Sequence, residues 1–188
     1  MCSYDGEMIF ICKTMNTKRL YLFNIISRLL PYSRFFEFRA KVLRWCGAVV
    51  GKDVRIYGGV EVIGNGRLVV GNDVFIGLET RIITSGEASV TIGNKVDIAP
   101  QVMILTGTHE VDAAVIEGVT NGHVAGNGVN KSVKIGNGCW ICARAMILPG
   151  VDIADNSLVA AGSVVVQSPG KSGMRIGGVP ARELNSSK

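Results

Sequence analysis

The sequence predicts a mainly β protein: a parallel β-helix of about five coils, with N-terminal helices and one long loop excursion. Three observations predict it. An aliphatic residue opens every block of six from Ile135 onward, at Ile135, Ile141, Ile147, Ile153, Val159 and Val165. The position four further on is small or branched each time, at Cys139, Ala145, Val151, Ser157 and Ser163. Glycine is abundant at 24 residues, with 5 prolines and no Gly-x-y period, which excludes collagen and suits a chain of tight turns. A sixfold repeat of this kind marks short strands and turns wound about one axis, each coil burying its aliphatic ring against the next.

Taken in order, residues 1–47 read as a helical segment, 48–168 as the repeat and 169–188 as a tail. Met1 to Thr17 has no clear period. Leu20 to Leu30 reads as a helix, with Leu22, Ile26, Leu29 and Leu30 on one stripe and Pro31 as its stop. Ser33 is placed to cap a second helix. In it Phe35, Phe38, Val42 and Trp45 recur at helical spacing, Arg34, Glu37, Lys41 and Arg44 fall opposite, and Gly47 suits the C-terminal cap. Such stripes are expected to cover the open end of the β-helix. Their basic surroundings also suit peripheral contact with a membrane surface.

The sixes begin with Val50, Ile56 and Val62, continue through Val70, Ile76 and Ile82, and then through Ile92, Ile98 and Ile104. Breaks in the count locate the loops. Gly64-Asn65-Gly66 interrupts between Val62 and Val70, and Thr84 to Ala88 between Ile82 and Ile92. The longest break delays Ile135 and makes an irregular loop of residues 106–133, which holds both histidines of the chain. An excursion of that length in a solenoid points to function or disorder.

A chain of 188 residues is about one domain, and 47% hydrophobic residues allow a sizeable core. The net charge of +5 is concentrated near the N-terminus, with no aromatic residues interleaved for base stacking, so nucleic acid is disfavoured. Five cysteines, an odd number, and no evident secretory signal point to a reduced, cytoplasmic setting. No stretch approaches the ~18 apolar residues that a membrane span needs. Cys139 and Cys142 form a C-x-x-C, but the repeat already explains both positions, so zinc or redox chemistry is not expected there.

His109 occupies the last place in the block that Ile104 opens, at the mouth of the loop, in Thr106-Gly107-Thr108-His109-Glu110. An imidazole is the natural general base near neutral pH, and a hydroxyl nucleophile needs one. His123 lies in the glycine-rich part of the loop with no repeat position to hold it, so it is expected to be exposed or at most to touch substrate. Asp97 and Glu110 are candidates to orient the imidazole, and the sequence does not choose between them.

The block GNGCWICARAMILPGVDIADNSLVAAGSVVVQSPG, followed by IGGVPARE, resembles the C-terminal half of the hexapeptide-repeat acetyltransferases. That family includes maltose, galactoside, serine and capsule or colanic-acid acetyltransferases. LPYSRFFEFRAKVLRWCGAVVGKDVRI resembles the start of the colanic-acid group. The resemblance covers about Leu30 to Glu183. It implies a left-handed β-helix, a homotrimer with active sites between subunits, acetyl-CoA as donor and His109 as the catalytic base. By the same match Glu79 and Glu87 contact the acceptor. Trp140 and Ala143 flank the pantetheine arm, and Ala161, Val166, Gln167 and Arg182 line the rest of coenzyme A. Lys171 is a further candidate cation for its phosphates. Val166-Gln167 replaces the Thr-Lys common in the family.

The expected function is O-acetylation of a sugar or polysaccharide-precursor hydroxyl. The alternatives are an amino-sugar N-acetyltransferase, an antibiotic acetyltransferase, or a non-catalytic β-helix scaffold. A serine acetyltransferase ranks lowest, because the N-terminal segment is too short for that enzyme's helical domain. A zinc carbonic anhydrase of the same fold needs three histidine ligands, and the chain has two histidines.

Overall fold

The computed structural model describes residues 14–112, 116 and 124–184. Two helices, α1 (Thr17–Leu29) and α2 (Phe36–Trp45), precede a parallel β-solenoid. Coil 1 consists of β1 (Val49–Val50), β2 (Arg55–Ile56) and β3 (Glu61–Gly64), and coil 2 of β4 (Arg67–Val70), β5 (Phe75–Ile76) and β6 (Arg81–Thr84). Coil 3 is β7 (Ser89–Ile92), β8 (Asp97–Ile98) and β9 (Met103–Leu105). A hairpin follows, of β10 (Gly107–Val111) and β11 (Ala125–Asn130). Coil 4 is β12 (Val133–Ile135), β13 (Trp140–Ile141) and β14 (Met146–Ile147), and coil 5 is β15 (Asp152–Ile153), β16 (Leu158–Val159) and β17 (Val164–Val165). β18 (Arg175–Gly178) adds one side of a sixth coil and turns back, antiparallel, into β19 (Ala181–Glu183).

The strands stack into three parallel sheets, one for each side of the coil. The first side is β1-β4-β7-β12-β15, the second runs from β2 to β18 and β19, and the third is β3-β6-β9-β14-β17. The register keeps the sixfold aliphatics in line. Val50, Val70, Ile92, Ile135 and Ile153 stack on the first side. Ile56, Ile76, Ile98, Ile141 and Val159 stack on the second. Val62 pairs with Ile82, Ile82 with Ile104, Ile104 with Ile147 and Ile147 with Val165 on the third. All of them are buried, and the small residues Cys139, Ala145, Val151, Ser157 and Ser163 fill the second inward position. The five predicted coils are therefore complete, with one further side beyond them.

Turning a corner after two strand residues requires a left-handed backbone. Asp73 (φ 55°), Lys95 (φ 55°) and Asn156 (φ 58°) supply it at the corner between the first and second sides. Glu79 (φ 57°), Gln101 (φ 62°) and Arg144 (φ 60°) supply it at the corner between the second and third. The conformation costs a residue with a Cβ roughly 1 kcal/mol. Side-chain ladders offset that cost. At the first corner the Asn72 amide donates to Asn94 Oδ1 (3.1 Å), and that of Asn94 to Asn137 Oδ1 (3.2 Å). Each side-chain oxygen in this column also accepts a backbone N–H from the coil before it.

The helices lie across the N-terminal end of the solenoid. Coil 1 has no coil before it, so its strand edge needs partners. Asn24 of α1 supplies a pair: its Oδ1 accepts from Val62 N–H (3.0 Å) and its Nδ2 donates to Val62 O (3.0 Å). Gly58 N–H donates to Tyr32 O and Gly59 N–H to Ser27 O, while Arg44 of α2 donates to Val50 O and Gly51 O. Leu20, Phe23, Ala40 and Leu43 join the same core as the coils.

Several expectations about this segment need correction. α1 starts earlier than predicted, capped by Asn16, whose Oδ1 accepts from Arg19 N–H (3.1 Å). Pro31 follows its last turn as expected. The side of α1 in the core carries Leu20, Phe23 and Ser27, whereas Leu22 and Leu29 of the predicted stripe are exposed. Likewise α2 buries Arg39, Ala40 and Leu43, and leaves Phe35, Phe38 and Trp45 exposed. Ser33 is not the cap of α2: Phe35 takes that place in a left-handed conformation (φ 61°). Gly47 does close α2, donating to Arg44 O while Ala48 donates to Leu43 O, the paired bonds of a Schellman end. Arg39 is fully buried because it satisfies the turn between the helices, donating to Leu30 O, Pro31 O and Arg34 O. Burial lowers its pKa from the usual arginine value.

Candidate active site

The described part of the long excursion is a two-stranded antiparallel ribbon, not the irregular loop expected. Gly107 pairs with Asn130, Thr108 with Val129 and His109 with Gly128. Its base is fixed to the solenoid: Lys131 N–H donates to Thr106 O, and Ser85 N–H donates to Thr106 Oγ1 (2.9 Å). A Cβ added at Gly107 would come within 2.6 Å of Ser85 Oγ, so any larger residue there would have to turn the Ser85 hydroxyl aside.

His109 is exposed on β10, and its Nδ1 lies 3.0 Å from Gly126 O on β11. A carbonyl oxygen can only accept, so Nδ1 carries the proton and donates it. In the neutral ring, that tautomer leaves the Nε2 lone pair free. The imidazole is thus oriented by a backbone carbonyl across the hairpin. Neither carboxylate considered for that role makes this bond: Asp97 lies on β8, and Glu110 is exposed beside His109. His123 lies outside the described residues.

A cleft of about 490 Å³ opens where α1 and the turn after it meet the second corner. It is lined by Arg28, Tyr32, Gly59, Glu61, Glu79, Arg81, Gln101, Val102 and Met103. Its charged floor is Glu61, buried on β3 and bracketed by Arg28, with which it is hydrogen-bonded, and by Arg81, whose Nε lies 2.7 Å away. Burial pushes the Glu61 carboxyl up, but the hydrogen bonds and charges of the two arginines outweigh that and hold it below its usual range. A carboxyl depressed in the folded state stabilises the fold above its unfolded pKa and loses that contribution as the pH falls. Wild type is therefore expected to exceed Glu61→Gln in stability at pH 6, with the gap closing towards pH 3. Urea titrations across that range read the gap.

A second polar column forms one rim of the cleft. Gln101 Nε2 donates to Glu79 Oε2 (2.8 Å), and Arg144 Nε donates to Gln101 Oε1 (2.8 Å). Of the site residues proposed from the sequence, only Glu79 lines this cleft. Glu87 is on another corner, in the turn packed against the hairpin base, and pairs at 3.7 Å with Arg67 across an exposed surface. Val166 and Gln167 follow β17 at that same corner, below the hairpin. Ala143 and Ala161 stack above one another at the Glu79 corner, where Gly162 N–H donates to Ala143 O (2.9 Å). Trp140 is half exposed on the second side, between Asp97 and Leu158, and Arg182 is exposed on β19 at the end of that side. Apart from Trp140 and Arg182 on the second side, one chain therefore divides the candidates between two corners, with the third side between them.

Sequence reasoning missed Arg28, Glu61, Arg81, Gln101 and Arg144. The repeat count contained a signal for four of them. Glu61 and Arg81 each precede an aliphatic of the third side, and Gln101 and Arg144 each stand three past one of the second, so each pair had to stack. Arg28 comes from a helix outside the count. Cys139 and Cys142 flank opposite ends of β13. Burial raises both thiol pKa values, and the Cys139 thiol donates to Ala154 O (3.2 Å), so they behave as packing residues.

Residues 132–167 match the family described as bacterial transferase hexapeptide (six repeats). The chain is 30% identical over 133 residues to WcaF of Escherichia coli (strain K12), named for acetyl transfer in colanic acid biosynthesis. That match spans 71% of this chain and 66% of WcaF. A galactoside acetyltransferase solved with coenzyme A superposes with a TM-score of 0.60 and 26% identity, over 89% of this chain and 76% of that one. A hexapeptide-repeat-containing acetyltransferase of Vibrio cholerae O1 biovar eltor, solved with acetyl coenzyme A, shares the fold at a TM-score of 0.70 and 23% identity, over 99% and 93% of the two chains.

Proposed function

Because the chain belongs to the hexapeptide-repeat acetyltransferases, we propose that it transfers an acetyl group from acetyl-CoA to a hydroxyl of a sugar or polysaccharide precursor. The observation that carries this reading is the tethered imidazole, with Nδ1–H spent on Gly126 O and Nε2 free. Nε2 takes the proton of the acceptor hydroxyl as its oxygen attacks the thioester carbonyl. The tetrahedral intermediate collapses, the C–S bond breaks, and the imidazolium returns its proton to the thiolate of coenzyme A. The acceptor reading is supported by the cleft, whose carboxylates, guanidinium groups and amide suit a ligand rich in hydroxyls. Glu79 and Glu87 are our acceptor contacts. Trp140, Ala143, Ala161, Val166, Gln167 and Arg182 are our contacts for coenzyme A.

The separation of Glu79, Ala143 and Ala161 at one corner from His109, Glu87, Val166 and Gln167 at another supports a homotrimer in which each site is completed by a neighbouring copy. Most outward positions of the third side agree with burial between copies: Ile63, Ile83, Met103, Leu105, Met146 and Val164 are apolar and exposed or half-buried, and the charged pair Glu61–Arg81 interrupts them only at the N-terminal end beside the cleft. Free thiols at Cys46, Cys139 and Cys142 support a cytoplasmic setting.

The test is titration calorimetry with coenzyme A, followed by a screen of sugars and amino sugars with acetyl-CoA. Binding together with an alkali-labile ester product supports the reading. An alkali-stable amide would move the acceptor to an amine, and absence of coenzyme A binding would leave a scaffold.

A further inference from the structure

We propose that the end of the solenoid formed by α1 and α2 docks on an anionic membrane surface. Both helices bury one side in coil 1, and both are apolar on the opposite side as well. On α1, Leu22, Ile25 and Leu29 are 44%, 37% and 79% exposed. At about 100° per residue these three form a single stripe, diametrically opposed to Leu20, Phe23 and Ser27. On α2, Phe38 and Trp45 are 47% and 49% exposed and lie opposite Ala40 and Leu43. Phe35, between the helices, is 53% exposed. A helix that only caps a solenoid needs one apolar side; a second one marks a surface that binds something.

Charge identifies what it binds. Residues 16–47 carry seven lysines and arginines against one acid, Glu37, whereas the whole chain has a net charge of +5. Arg39 is buried, and the other six cations are at least partly accessible. Lys18 and Lys41 fall within the apolar stripes, and Arg19 stacks on Trp45 with its guanidinium carbon 4.6 Å from the ring centroid. A second copy placed face to face would set cation against cation. A bilayer with anionic headgroups accepts both features: the rings and leucines enter the interface, and the lysines and arginines reach the headgroups. Among the described residues no helix is long and apolar enough to cross a membrane, so the contact is a surface one.

The proposal does not rest on the acetyl-transfer reading: of the cations counted above only Arg28 lines the cleft, where it pairs with Glu61, and none of the side chains substituted in the test lines it. The test is flotation of the full chain with vesicles of phosphatidylcholine alone, or of phosphatidylcholine with phosphatidylglycerol. Wild type is expected to float only with the anionic vesicles, and to be released by added salt. Leu22→Glu/Leu29→Glu/Phe38→Glu, and separately Lys18→Glu/Lys41→Glu, should each lower the bound fraction about tenfold or more with the far-ultraviolet spectrum unchanged. If the first variant fails to fold, the second decides, because both of its lysines are exposed. Three results would overturn the proposal. One is a wild type that ignores anionic vesicles. Another is a pair of folded variants that bind as wild type does. The third is a lipid-free oligomer that the glutamate variant dissociates, which would make a second copy the occupant.

Discussion

His109→Ala is expected to lower acetyl transfer about 10²- to 10⁴-fold, the range for removal of a general base. Stability should barely change, because the side chain is exposed and its one described bond is to a hairpin carbonyl. Coenzyme A binding should persist as well, which separates loss of the base from loss of the site. His109→Asn sharpens the test. The Asn Nδ2 falls close to the position of the imidazole Nδ1, so it can keep the tether to Gly126 O while offering no base. If the asparagine variant is as slow as the alanine variant, the imidazole acts on the reacting proton. If it recovers most of the rate, the ring serves only to pin the hairpin, and the role of base belongs elsewhere.

Ile98→Ala is expected to cost about 2–5 kcal/mol, the range for truncating a fully buried isoleucine. Ile98 is fully buried on the second side, paired with Ile76 on one flank and Ile141 on the other. Those flanking strands hold the cavity open, because neither can move inward without breaking its own ladder. Ile176 is also buried, but it belongs to the incomplete sixth coil, where one flank is the returning strand β19. The same truncation there should cost less, since collapse is easier at an end. Urea denaturation of both variants checks the order. A fall in the denaturant slope for Ile98→Ala would further indicate that the two halves of the solenoid unfold separately, as a stack of nearest-neighbour interfaces permits.

The coils were legible in the sequence because one position in six must be aliphatic to line the interior, and stacking turns that period directly into register. Ile56, Ile76, Ile98 and Ile141 could be aligned by counting alone. The helices were harder to read for a physical reason. Periodicity reveals a stripe but not which way it faces, and α1 and α2 carry apolar residues on two opposite sides. Counting favoured Leu22 and Phe38, whereas the core took Phe23, Ser27 and Arg39, the last two masked by their polarity. His109 was legible by its place at the break in the repeat. What orients it was not, because the partner is a main-chain oxygen, and Gly126 approaches only once the hairpin has paired. The Glu61 cluster was half legible, through the stacking of Glu61 on Arg81. Arg28 joins it from a helix that carries no repeat.

The amide column at the first corner has a direction. Each asparagine takes hydrogens from the coil before it and passes one on through its own Nδ2, from Asn72 to Asn94 to Asn137. The next member is Asp155, whose two carboxylate oxygens receive the Asn137 backbone N–H (2.8 Å) and side-chain amide (3.4 Å). A carboxylate has no hydrogen to pass on, so the relay stops at the fifth coil. The side-chain relay therefore ends before the backbone stack does: Gly173 N–H still donates to Asp155 O at this corner, and β18 still pairs with β16 beyond it. Among the described residues past coil 5, the stack is held by main-chain bonds alone at this corner, so an Asp155→Asn change would leave an amide hydrogen there with no column member to receive it.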